Sequence, residues 1–297
     1  MSTAAVFWSA EKSLFNHKIN SDFWGRANPF FLFLALVVLT LLGSEVLFQL
    51  GVRTQFYLWE FRLDLNILVI WVFCLIFNRK LTLDLGLSKI GIGRWVWRDN
   101  FLAFFSPFFL LAIIIAVGLL VKTITYQRVD NPSTFLLATI FDIPATFFFS
   151  ISNVLMEEIV FRGFIFRVIS KGKKFFVSTF LVSSLWGVFS LGNFLHDQGS
   201  GVTPIFTGLI NSFSMGLVCS ALLLYSKSIW SSYSFRIGIL TFSAALLSRS
   251  QEESNTFFAS NLASFSNNGI ICSLLYFVLA VILLKLSKNR QMSTLFD

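Results

Sequence analysis

An all-α, polytopic membrane protein of about eight transmembrane helices follows from three observations on the chain. It is 56% hydrophobic and only 13% charged, whereas a soluble domain carries about a quarter charged residues. Its mean hydropathy is +0.76. Its 38 Phe and 8 Trp fill long apolar runs instead of a compact core pattern, and the runs are long enough to cross a bilayer.

In chain order, residues 1–28 are polar and mixed and form a cytoplasmic N-terminal segment. The first apolar run, 30–50, is too long for the core of a secretory signal and is expected to remain as the first span, with Glu45 toward its outer end. Residues 57–77 form the second, interrupted early by Glu60, Arg62 and Asp64. The segment 79–100 mixes basic residues with Trp95 and Trp97, a composition suited to the headgroup level. Spans follow at 101–121 and 134–155, the latter with Asp142 and a helix-bending Pro144. The remaining spans are 175–195, 204–225, 229–247 (interrupted by Arg236) and 269–286. Ser- and Asn-rich residues 249–267 read as a plain external loop.

These elements group into N-terminal transmembrane helices over 29–133 and a helical core over 134–250. Residues 251–297 then supply the outer loop, the last span and a basic cytoplasmic tail. Most of the 23 Lys and Arg fall on one side of this arrangement. Only Arg53, Arg62, Lys122, Arg128 and Arg249 fall on the other, so both termini are expected to be cytoplasmic. The net charge of +8 is then a property of the inner loops, and nucleic acid is not expected as a partner. The lipid bilayer is, together with a peptide or a membrane protein. Cys74, Cys219 and Cys272 all lie in apolar runs without paired spacing and read as small hydrophobes.

The segment MEEIVFRGF sets Glu157, Glu158 and Arg162 beside these apolar stretches. Carboxylates are costly near lipid, so their retention there invites a functional reading. On a helix Glu158 and Arg162 are four apart and form an ion pair, while Glu157 points roughly 100° away. One carboxylate held and one available suits general-base work on a water. The plainer reading is that Glu at a helix start complements the helix dipole.

Glu157-Glu158-x-x-x-Arg162-Gly163 resembles the first signature of the CPBP intramembrane proteases. That family includes CAAX prenyl endopeptidases and Abi-like bacterial relatives linked to bacteriocin processing and self-immunity. The stretch SSLWGVFSLGN is similar to the second signature, with Trp186 in the aromatic place and Ser190 in the His place. KSIWSSYSFRIGIL resembles the third, with Arg236 in the His place and Leu240 where Asn or Asp is usual. The resemblance implies a first Glu that activates a water and two later His that help to bind it or a zinc ion.

Here the partner positions are substituted. Serine does not replace imidazole as a zinc ligand, and arginine is a fixed cation. No cofactor is therefore expected, zinc entering only if other residues take the His places. Of the two His, His17 lies in the N-terminal segment. His196 would fall about 9 Å beyond Ser190 and roughly 120° around the helix. Arg236 either pairs with Glu157 or Glu158 as a structural ion pair or snorkels to the inner interface.

Three functions remain on these residues. The first is a pseudoprotease acting as a membrane binding, scaffold or immunity-like protein in the bacterial plasma membrane. The second is an active intramembrane endopeptidase using Glu157 as general base with Glu158 and Arg162. The third is a transporter or an accessory subunit of a membrane complex. A transporter would be expected to show repeats or paired broken helices, and the sequence shows neither.

Overall fold

The computed structural model describes residues 29–54, 95–126, 153–170, 174–194, 202–248, 258–260 and 270–289. Helix α1 runs over Pro29–Thr54 and α2 over Trp97–Leu120. A helical turn at 153–158 continues as a π-helix over Ile159–Ile165 and then α3, Phe166–Ser170. Helices α4 (Phe175–Phe194), α5 (Val202–Ser226), α6 (Ile229–Leu246) and α7 (Ile270–Asn289) complete the described helices. Six of the expected spans thus have helices in place. The span at 57–77, most of that at 134–155, Asp142, Pro144, Cys74, His17 and His196 lie outside the described residues.

The all-α architecture holds, with one small addition. A small sheet joins β1 (Ile124–Tyr126), β2 (Leu247–Ser248) and β3 (Phe258–Ser260) in the order β1-β3-β2. Strand β3 runs antiparallel to β1 and parallel to β2. It falls in the segment read as a plain external loop. Short ladders between helix ends satisfy backbone groups that would otherwise lack partners.

Three described helices are long and apolar enough to cross a membrane: Trp97–Leu120, Ile205–Ser226 and Ile270–Ser287. Their burial differs sharply. The α5 window is 72% buried, against 33% for α2 and 28% for α7, so α5 is the central helix and the other two present most of their surface outward. Helix α5 packs against α4, α6 and α7, and α2 packs on α6. One apolar cluster joins Phe33 and Val37 of α1 with Phe161, Phe166, Trp186 and Leu224. A second joins Leu111 and Ile114 of α2 with Val218, Phe235 and Tyr276.

The α2–α6 contact rests on Gly238. A Cβ there would run into the Phe104 carbonyl oxygen, so only glycine lets the two backbones approach so closely. A Ser231 hydroxyl on α6 also donates to Asn100 Oδ1 at 2.9 Å, tying the same helices near their N-terminal ends. The end of α2 is closed by Lys122 at φ 58°, with Lys122 N–H donating to Leu119 and Thr123 N–H to Gly118, a Schellman arrangement.

Candidate functional site

The four charges singled out in the sequence meet at one place. Glu157 and Glu158 close the 153–158 turn, Arg162 sits in the π-helix, and Arg236 reaches in from α6. The π-helix is confirmed by the Phe166 N–H donating to the Phe161 carbonyl five residues back. Such turns are rare and recur at functional sites. Nothing in the residue pattern announces it beyond Gly163.

Glu158 and Arg162 pair as their four-residue spacing requires: Arg162 Nη1 lies 3.4 Å from Glu158 Oε1, and both side chains are fully buried. The pair is close but not aligned as a hydrogen bond, and Glu158 Oε2 and Arg162 Nε have no partner among the described residues. Arg162 Nη2 donates to the Gly216 carbonyl at 3.4 Å, which ties the π-helix to the central helix. It is among the largest fully buried side chains described.

Glu157 was expected to be free, and the structure corrects this. Arg236 Nη1 lies 2.7 Å from Glu157 Oε2, and the Trp186 indole N–H donates to the same oxygen at 3.0 Å. The same Nη1 also donates to Glu158 Oε1 at 3.3 Å. Arg236 therefore bridges both carboxylates rather than choosing one, and its side chain is only 11% exposed. The guanidinium carbons of Arg162 and Arg236 lie 4.9 Å and 5.0 Å from the Trp186 ring centroid, in cation–π range. Two negative and two positive groups thus balance around one indole ring.

The helices that deliver these groups are positioned locally. Ser228 caps α6, accepting the Trp230 N–H at 3.2 Å, and Lys227 before it takes a left-handed φ of 59°. Arg236 follows two turns later. Trp186 lies on α4 against Gly216 of α5, where a Cβ would stand 3.2 Å from the indole. Glycine at that position leaves room for the ring. Beyond Arg162, burial pushes the Arg167 guanidinium down to about 10, which leaves it charged at neutral pH.

The substituted family positions are also placed. Ser190 is buried one turn beyond Trp186, and its hydroxyl donates to the Trp186 carbonyl at 2.9 Å. This back-bond occupies the side chain within its own helix. Leu240 is 36% exposed on α6 and takes no part in the charged network. Cys219 of α5 is fully buried and feels the field of all four charges.

These donors do not suit the zinc ion that the resemblance implies. Both carboxylates are already held by guanidinium groups, and a fixed cation stands 2.7 Å from the oxygen a metal would need. The Ser190 hydroxyl, a neutral oxygen in place of imidazole, donates to a backbone carbonyl within its own helix. No group of three or more His, Cys, Asp or Glu side chains gathers among the described residues. What the arrangement does chemically is neutralise and fix two carboxylates inside a helical core.

No curated protein and no solved structure matches the chain. The family model described as Rce1-like, type II CAAX prenyl endopeptidase, matches residues 138–242, a stretch that contains Glu157, Glu158, Arg162, Ser190, Arg236 and Leu240. The match covers about a third of the chain and falls on the stretch whose motifs resemble the CAAX-protease family.

Proposed function

We propose that this CPBP-type membrane protein is a pseudoprotease, acting in the bacterial plasma membrane as a binding, scaffold or immunity-like protein for a peptide or membrane-protein partner. One observation carries the reading: Arg236 and Trp186 both engage Glu157 Oε2, at 2.7 Å and 3.0 Å. A general base needs a lone pair aimed at the water it deprotonates. Here that oxygen is held by a permanent cation and an indole donor, and no imidazole stands nearby among the described residues.

A second reading keeps Glu157 as the base of an active endopeptidase. What favours it is that the Glu157 side chain is 19% exposed, and that Oε1 has no hydrogen-bond partner among the described residues. Purified protein incubated with a prenylated CAAX peptide and with an unprenylated peptide separates the two. The pseudoprotease reading expects no cleavage above a Glu157→Ala control and no bound zinc by elemental analysis. Hydrolysis that disappears in Glu157→Ala would overturn it. The transporter or accessory-subunit reading has no structural observation in its favour.

A further inference from the structure

The N-terminal end of α2 holds a second cluster that the charged network does not use. Val96 at the N-cap supplies no side-chain bond to the first turn, and the first backbone bond of the helix is Asn100 N–H to Val96 O. The N–H groups at the start of α2 therefore receive no side-chain cap from Val96, and the helix dipole adds partial positive charge there. Around it the aromatic rings are joined edge to face: Trp95 with Trp97 at 5.2 Å and with Trp230 of α6 at 5.0 Å, and Trp230 with Tyr233 at 5.7 Å.

An independent observation points to a ligand. Asn100 is 3% exposed, its Oδ1 is taken by the Ser231 hydroxyl, and its Nδ2 is buried with no partner. A buried amide donor left in this way calls for an acceptor oxygen. Arg98 stands exposed in the same turn. Asp99, the acid of that turn, also makes an interaction. Trp97 is 77% exposed, and Phe101, Leu102, Phe108 and Phe109 continue down α2 as an exposed apolar face. The cluster thus closes one end of a helix long and apolar enough to cross a membrane, and indoles prefer the headgroup level.

We propose that this corner, built from the start of α2, Trp95, Trp97, Arg98, Asn100 and Trp230, binds the phosphate headgroup of an anionic phospholipid. The phosphodiester oxygens accept from the α2 N-terminus, Arg98 and Asn100 Nδ2, while the acyl chains lie along the exposed face of α2. Because Trp230 and Ser231 belong to α6, a lipid seated here touches both α2 and the helix that carries Arg236.

The test is lipid titration of the full-length protein in detergent, read by native mass spectrometry, with phosphatidylglycerol, phosphatidylcholine and inorganic phosphate as the three probes. Phosphatidylglycerol is expected to bind about fivefold or more tighter than phosphatidylcholine. Arg98→Gln changes an exposed side chain and is expected to remove about fivefold of that preference. Asn100→Asp keeps the oxygen that serves Ser231 but replaces the Nδ2 donor by a carboxylate oxygen, and should bring the two lipids to parity. Equal binding of the two lipids by the unmodified protein would overturn the proposal. So would an undiminished preference in both variants, or displacement of phosphatidylglycerol by an equal concentration of inorganic phosphate. Should Asn100→Asp fail to fold, Arg98→Gln decides by itself, and an unchanged preference there overturns the proposal.

Discussion

Replacing Arg236 by methionine removes the only cation on Glu157 among the described residues while leaving a side chain of similar length against Trp186. Glu158 keeps Arg162, so the net effect is one uncompensated carboxylate. Breaking a buried pair at one end costs about 3–5 kcal/mol. Glu157 is 19% exposed and retains the Trp186 donor, which puts the expected loss at the low end, about 3 kcal/mol. At roughly 2 °C per kcal/mol for a chain of this size, the melting temperature in detergent should fall by about 6 °C. The companion variant Glu157→Gln/Arg236→Met removes both charges and should recover most of that loss, because the uncompensated charge is gone. Thermal unfolding followed by tryptophan fluorescence gives the four corners of a double-mutant cycle. An unchanged melting temperature in Arg236→Met, or a double variant as unstable as the sum of the singles, would show that the guanidinium is not a structural partner of Glu157.

Trp186→Phe deletes the indole N–H while keeping an aromatic ring between the two guanidiniums; the lost bond to a charged group should cost roughly 1.5 kcal/mol, measured by the same thermal assay. Gly238→Ala forces α6 away from the Phe104 carbonyl and should destabilise by about 1–3 kcal/mol through overpacking, with lower yield of monodisperse protein in size exclusion. Lys227→Gly relieves the left-handed backbone before α6 and should stabilise by about 1 kcal/mol, seen as a rise in melting temperature.

The helices were legible because their apolar length is a local property: α1, α2, α4, α5, α6 and α7 fall on the runs read from composition. Glu158 and Arg162 were legible for the same reason, since a four-residue spacing fixes their contact. Arg236 was legible as an ion-pair candidate for Glu157 or Glu158 because a buried cation must find an anion, although its bridging of both was not. What escaped depends on packing between elements. The π-helix has no residue signature of its own, and Trp186 was recognisable as an aromatic at its position but not as the donor that occupies Glu157. The Gly216 carbonyl serving Arg162 likewise has no mark in the sequence. Strand β3 was missed because three residues in a Ser- and Asn-rich segment carry no period long enough to read.

The wide turn at Ile159–Ile165 sets the angular register of everything before it relative to everything after it. An α-helix advances roughly 100° per residue, so taking one residue out of that stretch would swing Glu157 and Glu158 by about that much relative to α3, turning both away from Arg236 without altering a single charge. The meeting of the carboxylates with α6 is therefore encoded as a residue count as much as a residue choice. A chain with every charged side chain conserved and one position fewer would lose the network.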